Sequence, residues 1–292
     1  MVQHPALRPE AIAAFATRLG AAPTSIGTAA GGAGQLGAPG GDPSAAGVAE
    51  WASVDIAATE VAALANALSV DAALVPAGCR LADYRLLAFD MDSTLITIEC
   101  IDEIADYAGR KAEVAAITEA AMRGEITNFA DSLRRRVALL AGLDESVLSR
   151  VFEERLRLSP GAPELLAGAR QAGLTTLLVS GGFTYFTGRL QAQLGLDHAR
   201  ANTLEIADGR LTGRVLGPIV DADGKARALQ EACSAIGCRP ADAVALGDGA
   251  NDLKMMALAG VSVAYHAKPI VRAQTTFAIT WCGLDAVLNL LP

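Results

Sequence analysis

The chain contains 292 residues, with 24 Lys and Arg against 32 Asp and Glu, which gives a formal net charge of −8. Hydrophobic residues make up 52% of it. A chain of this length and composition can bury the cores of about two domains, which excludes global disorder. The acidic balance argues against a nucleic-acid-binding protein, because such proteins usually carry a basic stripe.

The sequence also argues against a membrane protein. The most apolar window, residues 61–78, is interrupted by Asn66, Ser69 and Asp71, so it is too polar to cross a bilayer. The N-terminal residues include charged side chains and no apolar run, so no signal peptide is expected. The five cysteines form no CxxC motif, which predicts reduced cysteines in a cytoplasmic protein.

A small N-terminal α+β unit is predicted over residues 1–80. Apolar periodicity predicts helices over 9–19 and 59–68 and a strand over 48–56. Residues 20–47 consist mostly of Gly, Ala, Pro, Ser and Thr, and they predict a flexible loop because a Gly-rich backbone is entropically costly to order. We find no catalytic motif in this unit.

In residues 81–292, short and mainly apolar runs alternate with amphipathic helical segments. Such runs are typical of strands that are buried on both faces by helices. The predicted strands are 86–89, 175–179, 243–246, 261–264 and 277–279. The alternation predicts an α/β fold with a Rossmann-like parallel sheet.

A long helical interval interrupts this pattern after the first strand. Residues 99–157 have the periodicity of four helices, which is too long for one crossover and predicts a helical cap insertion. A β-hairpin is expected over residues 203–215, because Asp208-Gly209 is a typical two-residue hairpin turn.

Two carboxylates, Asp90 and Asp92, follow the first predicted strand in the run FDMDST, residues 89–94. Open α/β sheets bind their ligands at the carboxyl ends of the strands, so this position suits a functional site. Taken alone, the pair fits a solvated turn better than a functional site. An EF-hand calcium loop is excluded, because it would need Gly and Glu at positions 95 and 101, where the chain has Leu and Ile.

A second acidic motif, GDGAND at residues 247–252, follows the predicted strand 243–246. It places Asp248 and Asp252 at the carboxyl end of another buried strand. Together the two motifs supply the hard oxygen ligands that Mg²⁺ prefers, in combination with water and substrate phosphate. The sequence therefore predicts a magnesium site.

Two further features suit an anion. Ser180-Gly181-Gly182 follows the strand 175–179 and offers a hydroxyl and backbone N–H groups at the start of a helix. Lys225 begins another helix in a chain with only four Lys, which suggests that a compact charge is needed there. Each feature alone fits an ordinary turn or surface residue; their order along the chain is much more specific.

That order resembles the haloacid dehalogenase superfamily and, within it, the family of enzymes that hydrolyse phosphoserine. The resemblance covers residues 84–292. It includes the further runs ECIDEIA (99–105), AMRGEI (121–126), SLRRRV (132–137) and AYHAKP (264–269). It implies a Mg²⁺-dependent phosphatase that converts O-phosphoserine to serine and phosphate, the last step of serine biosynthesis.

The resemblance implies a role for each acidic residue. Asp90 would be the nucleophile that forms an aspartyl-phosphate, and Asp92 would be the general acid and then the general base. Asp90, the Asp92 carbonyl and Asp248 would bind Mg²⁺, and Asp252 would support these ligands. Mg²⁺ and Lys225 would remove the repulsion between the anionic nucleophile and a phosphate dianion.

The remaining implied roles concern the substrate. Ser180, Gly181 and Lys225 would hold the phosphoryl oxygens, and Asn251 would order this network. Beyond the phosphate, Glu99 would meet the substrate ammonium and Arg136 the substrate carboxylate, since a guanidinium suits a carboxylate in fork geometry. Two apolar walls are expected from Met122 and Phe129, for which ordinary helix packing is an equal alternative.

Several alternatives stay open. The chain fits another superfamily phosphatase or phosphotransferase that acts on a different small phosphomonoester. A non-catalytic amino-acid sensor is disfavoured by the intact set of acidic residues. Residues 1–80 resemble a degenerate ACT-like domain of some bacterial members. The sequence does not determine whether the protein is a homodimer. The expected partner is a small-molecule substrate, with no nucleic acid and no membrane.

Overall fold

The computed structural model describes residues 1–4, 7–27, 47–52, 54–122, 125–126 and 128–292, without the side chains of residues 121 and 122. The chain forms two compact units. Unit 1 comprises Met1–Arg85, Ser159–Leu174 and Val261–Pro292, and unit 2 comprises Leu86–Leu158 and Thr175–Gly260. Three segments of the predicted region 81–292, namely residues 81–85, 159–174 and 261–292, therefore group with the N-terminal residues.

The elements are numbered in chain order. The helices are α1 (Pro9–Leu19), α2 (Ala58–Leu68), α3 (Cys100–Tyr107), α4 (Lys111–Met122), α5 (Phe129–Ala138), α6 (Ser146–Arg150), α7 (Ala162–Gln171), α8 (Thr184–Leu194), α9 (Ala222–Ile236), α10 (Leu253–Met256), α11 (Pro269–Arg272) and α12 (Ala286–Leu290). The strands are β1 (Val2–Gln3), β2 (Ser25–Gly27), β3 (Val48–Glu50), β4 (Asp71–Ala72), β5 (Leu86–Phe89), β6 (Thr175–Phe183), β7 (His198–Ala207), β8 (Arg210–Leu216), β9 (Ala243–Gly247), β10 (Val261–Tyr265) and β11 (Phe277–Ile279).

In unit 1, the N-terminal strands form an antiparallel sheet in the order β2-β3-β1-β4. Phe15 of α1 and Val61 of α2 share an apolar core with Val2 and Ala49 of this sheet. Both predicted helices are confirmed. The predicted strand 48–56 is wrong for the described residues 51–52 and 54–56: β3 ends at Glu50, because its partners β1 and β2 are only two and three residues long.

The Gly-rich run that predicts a loop at 20–47 lies outside the described residues over positions 28–46. Residues 20–24 lie outside helices and strands as predicted, but the prediction is wrong at Ser25–Gly27, which form β2 and pair with β3. The Ser25 hydroxyl also donates to the Glu50 carboxylate at 2.8 Å. Local composition therefore gave the wrong prediction where strand pairing supplies partners for the backbone.

Asp71 links the N-terminal sheet of unit 1 to the unit's C-terminal segment. Its buried carboxylate accepts hydrogen bonds from the backbone N–H groups of Thr280, Trp281 and Cys282, at 2.7, 3.0 and 2.9 Å. These residues directly follow β11, which pairs in parallel with β10. Charge-assisted hydrogen bonds of this kind are stronger than neutral ones, so one carboxylate holds two distant parts of the chain.

Unit 2 contains a sheet in the order β9-β5-β6-β7-β8, in which only the pair β7–β8 is antiparallel. Every residue of β5 and β9 is buried, as expected for strands covered on both faces. Because β5 lies between β9 and β6, the carboxyl ends of these strands are neighbours. The predicted parallel sheet is confirmed.

The helical interval after β5 is also as predicted. Within the described residues it contains α3, α4, α5 and α6, and a π-helical turn over Val151–Arg155 extends the last of these. The predicted hairpin is formed by β7 and β8, and its turn residues Asp208 and Gly209 have φ values of 51° and 72°, which this type of turn requires. Over the described ranges, the helices are too short or too polar to cross a membrane.

Candidate active site

The two acidic motifs meet because β5 and β9 are neighbours. The strands pair in register, with Phe89 opposite Leu246. Asp90 directly follows β5, and its backbone N–H donates to the Leu246 carbonyl at 3.1 Å. One carboxylate oxygen each of Asp90, Asp248 and Asp252 lies within 4.8 Å of the others.

Lys225 is fully buried, and its ammonium lies between two of these carboxylates. Its Nζ is 2.7 Å from Asp90 Oδ1 and 2.6 Å from Asp252 Oδ1. The residue lies in the first turn of α9, where the Asp221 side chain caps the helix by accepting from Gly224 N–H at 2.8 Å. The alternative of a surface lysine is therefore wrong.

Burial and crowding set the ionisation of this cluster. Burial and then the charge of Asp252 raise the pKa of Asp90 well above its ordinary value, while Lys225 opposes this rise. Burial alone would lower the pKa of Lys225, but the charges of Asp252 and Asp90 raise it. Burial, with the charge of Asp252, raises the pKa of Asp248 to about 7.

The carboxylates are also held by short-range donors. Each accepts at least one hydrogen bond from a nearby backbone or hydroxyl group: Met91 N–H donates to Asp90 at 2.7 Å, Thr94 Oγ1 to Asp248 at 3.3 Å and Gly249 N–H to Asp252 at 3.0 Å. Glycine is needed at position 247, because a Cβ there would lie 2.5 Å from the Asp252 carboxylate. The geometry is therefore fixed without substrate.

Asp92 and Glu99 form a second group of carboxylates in unit 2. Asp92 accepts a hydrogen bond from the backbone N–H of Cys100, the first residue of α3, at 3.0 Å. Burial and then the charge of Glu99 raise the pKa of Asp92 to about 7. Glu99 accepts a 2.6 Å hydrogen bond from the hydroxyl of Ser93, and burial raises its pKa as well.

The third strand end contributes Ser180, Gly181 and Gly182, which belong to β6 because the strand continues to Phe183. The Gly182 N–H donates to Ser180 Oγ at 2.8 Å. A Cβ on Gly182 would lie 2.6 Å from Asp92 Oδ2, so only glycine allows this close approach.

A cavity of about 420 Å³ opens on these groups. The predicted site residues that line it are Asp90, Asp92, Glu99, Phe129, Arg136, Ser180, Gly181, Asp248 and Asn251. Lys225 and Asp252 are fully buried and do not line the cavity. Lys225 contacts Asp90, which does line it, and Asp252 contacts Lys225. The side chain of Met122 lies outside the described residues, so its predicted role stays a prediction.

Arg136 carries a buried polar atom that lacks a partner. Within the described part of the chain, its Nε has no hydrogen-bond acceptor. Burial lowers the pKa of Arg136, and the charges of Asp102 and Glu99 oppose this. A buried donor without an acceptor costs free energy, so the site favours a ligand that brings one. Arg134, by contrast, is exposed and pairs with Asp131, as expected of a charge run.

The cluster of Asp90, Asp248 and Asp252 fits a divalent cation. Among the described residues, its three carboxylates contact one ammonium, that of Lys225, so negative charge is in excess there. All the donors are hard oxygens, which suits Mg²⁺.

Ser93, Thr94 and Cys100 make contacts that the sequence did not assign. The motif runs contain all of them, but their roles depend on the bend after β5. Ser93 has a left-handed backbone conformation with φ of 55°, which turns its hydroxyl to Glu99. Cys100 acts through its backbone N–H, which no side-chain pattern can reveal.

Comparison with known proteins agrees with this geometry. A family model for haloacid dehalogenase-like hydrolases matches residues 87–257. The chain is 57% identical over 216 residues to a phosphoserine phosphatase of Polaromonas sp., a match that covers 73% of this chain and 92% of that protein. It is 55% identical over 215 residues to the phosphoserine phosphatase of Albidiferax ferrireducens, a match that covers 72% of this chain and 91% of that protein.

Solved structures give the same result. A crystal structure of a probable phosphoserine phosphatase from Vibrio cholerae, in unliganded form, matches with a TM-score of 0.80 and 39% identity, covering 99% of this chain and 85% of that one. A substrate-bound phosphoserine phosphatase complex matches with a TM-score of 0.67 and 38% identity, and the match covers 72% of this chain and 99% of that one.

The chain therefore belongs to the haloacid dehalogenase-like hydrolases. Within that family, the relatives described above are phosphoserine phosphatases. The resemblance read from the motifs is confirmed.

Replacement of Lys225 by Met should strongly destabilise the fold, because it leaves Asp90 and Asp252 buried without their counter-charge. The expected loss in the free energy of unfolding is about 3–5 kcal/mol, measured by urea denaturation. Lys254→Met is the matched control. Lys254 pairs with Asp223 on the surface at 2.7 Å, so its loss should cost below about 1 kcal/mol. Equal losses in the two variants would contradict the account.

Proposed function

We propose that the chain is a phosphoserine phosphatase that hydrolyses O-phosphoserine through an aspartyl-phosphate on Asp90. The observation that carries this proposal is the partnerless Nε of Arg136, which lies on the same cavity as Glu99 and Asp90. A phosphomonoester that also bears a carboxylate and an ammonium would satisfy all three groups. The named relatives support the same substrate.

Asp90 is the proposed nucleophile. Its carboxylate lines the cavity and is held by Met91 N–H and Lys225. A carboxylate oxygen would bond to phosphorus as the bond from phosphorus to the serine oxygen breaks, which splits one difficult step into two. Water would then attack phosphorus, and the bond to Asp90 would break to release phosphate.

Asp92 is the proposed general acid and base. It would give a proton to the departing serine oxygen and would later take one from the attacking water. Its pKa of about 7, raised by burial and by Glu99, suits both roles near neutral pH. The hydrogen bond from Cys100 N–H fixes the direction of its carboxylate.

Ser180, Gly181 and Asn251 are the proposed phosphate contacts, and Lys225, which contacts Asp90 and does not itself line the cavity, is proposed to support them by its charge. Ser180 Oγ accepts from Gly182 N–H, which leaves its own O–H free to donate to a phosphoryl oxygen. Ser180, Gly181 and Asn251 line the cavity. The ammonium of Lys225 would stabilise charge that develops on the phosphoryl group.

Mg²⁺ is the proposed cofactor. Asp90, the backbone carbonyl of Asp92 and Asp248 would hold it, with Asp252 behind them. When bound, the ion would neutralise charge on the phosphoryl oxygens. The excess of carboxylates over ammonium groups supports this assignment.

Glu99 is proposed to bind the ammonium of the substrate and Arg136 its carboxylate. Phe129 and Met122 are proposed as apolar walls of this part of the site. Phe129 lines the cavity, and its ring would lie 3.0 Å from a Cβ on Gly181. The product would be serine, as in the last step of serine biosynthesis. The cytoplasmic location and the homodimer stay predictions.

A steady-state assay tests the proposed activity. The protein should release phosphate from O-phosphoserine when Mg²⁺ is present and should lose this activity after chelation with EDTA. Asp90→Asn should lower kcat by at least about 10³-fold, because an amide is a poor nucleophile. Substantial turnover in pure, folded Asp90→Asn protein would contradict the assignment.

A second experiment separates phosphoserine from other phosphomonoesters. Glu99→Gln or Arg136→Ala should lower kcat/KM for phosphoserine by about 30-fold to several thousand-fold, since the opposite charge of the bound substrate would be left unpaired in the site at a cost of roughly 2–5 kcal/mol. p-Nitrophenyl phosphate, which lacks both groups, should be affected far less. Arg134→Ala, on the exposed face of the same helix, is the control. Equal losses for both substrates would show that Glu99 and Arg136 do not read the amino acid.

A further inference from the structure

Asn202 is a buried polar residue that no motif predicted. It lies in β7 opposite Phe183 and is 1% exposed. Its side-chain amide makes two hydrogen bonds of 2.8 Å: Nδ2 donates to the Gly181 carbonyl, and Oδ1 accepts from Val220 N–H. Both ends of the amide are used, so its orientation is fixed.

The first hydrogen bond compensates for an irregular sheet. Between Val179 and Phe183 the register of β6 against β7 shifts, because four residues of β6 advance while β7 advances by two. Residues 180–182 therefore bulge out of the ladder. Asn202 donates a hydrogen bond to the Gly181 carbonyl at this bulge, so the carbonyl has a partner although the regular ladder is interrupted.

This contact fixes a peptide plane next to the cavity. The carbonyl of Gly181 and the N–H of Gly182 belong to the same planar peptide. Asn202 holds the carbonyl end, and Ser180 Oγ accepts from the N–H end at 2.8 Å. The position of the Ser180 hydroxyl therefore depends on Asn202 through one rigid group.

The second hydrogen bond reaches the segment that presents Lys225. Val220 directly precedes Asp221, the residue that caps α9. The Asp221 carbonyl also accepts from the Lys225 N–H at 2.8 Å. One side-chain amide thus joins the bulge that carries Ser180 and Gly181 to the start of the helix that carries Lys225.

We infer that Asn202 is a positioning residue for phosphate, which sets the distance between the Ser180-Gly181 bulge and the start of α9. The inference rests on the proposed roles of Ser180 and Lys225 in phosphate binding. For Glu99 and Arg136 we expect a loss of kcat/KM that depends on the substrate, whereas for Asn202 the inference predicts a loss that does not. Loss of Asn202 affects every phosphomonoester by the same factor, because all of them share the phosphoryl group.

Two variants separate the two contacts. Asn202→Asp keeps the shape and the acceptor for Val220 N–H but loses the donor to Gly181. Asn202→Leu has a similar size and loses both contacts. Thr203→Val is the control, because it removes a side-chain hydrogen bond from the same strand, to Thr184 at 3.3 Å, without a change at either contact of Asn202.

The experiment measures kcat/KM for phosphoserine and for p-nitrophenyl phosphate, the inhibition constant of inorganic phosphate, and the melting temperature. Asn202→Asp should lower both kcat/KM values by the same factor, about 10- to 100-fold, and should weaken inhibition by phosphate. Asn202→Leu should lower both further. Thr203→Val should leave all four quantities close to wild type.

Either of two results would overturn the inference. One is a folded variant with unchanged phosphate inhibition, which would make Asn202 purely structural; the other is a loss confined to phosphoserine. If one variant does not fold, the other decides by the same readouts. A wild-type protein that hydrolyses p-nitrophenyl phosphate but not phosphoserine would reject the proposed substrate alone, and the phosphate readout would still test Asn202.

Discussion

The site depends on one buried ammonium held between two buried carboxylates. Lys225 Nζ lies 2.7 Å from Asp90 and 2.6 Å from Asp252. A lysine without counter-charges in this position would lose its proton, and two carboxylates without the lysine would repel each other. The triad therefore holds together strand ends and a helix that are far apart in the chain.

The arrangement of strands in unit 2 makes this contact possible. Since β5 lies between β9 and β6, the residues that follow these strands share one edge of the sheet, as in other open α/β sheets. Glycines at positions 182 and 247 then allow side chains to approach closer than any Cβ would permit. Asn202 adds a hydrogen-bonded link between the bulge in β6 and the segment before α9.

The excess of carboxylates also explains why the cavity suits a charged substrate. Lys225 leaves part of the negative charge of Asp90, Asp248 and Asp252 uncompensated, which favours a divalent cation and, through it, a phosphate. Glu99 and Arg136, which line the same cavity, offer one charge of each sign. The proposed function assigns the two groups of residues to different parts of one small molecule, so variants in each group should differ in their substrate dependence.

Much of unit 2 could be predicted because its signals are local. Buried strands appear as continuous apolar runs, and the acidic motifs stand at their ends. The burial of Lys225 could not be predicted in this way, because it depends on the partners that α9 meets in the folded sheet. Asn202 was missed for the same reason, since its role arises from a register shift in β6 that has no local signature. In unit 1, Asp71 looks like a break in an apolar window, whereas it binds three N–H groups about 210 residues away.

Chemical trapping of the intermediate tests the central claim most directly. Wild-type protein would be mixed with phosphoserine and Mg²⁺, quenched in acid within a single turnover, and reduced with borohydride before mass spectrometry of its peptides. The account predicts that the peptide containing residues 89–94 carries the modification, at Asp90 alone. Turnover with no modified peptide, or with the modification at another residue, would contradict the claim that Lys225 holds Asp90 as the nucleophile.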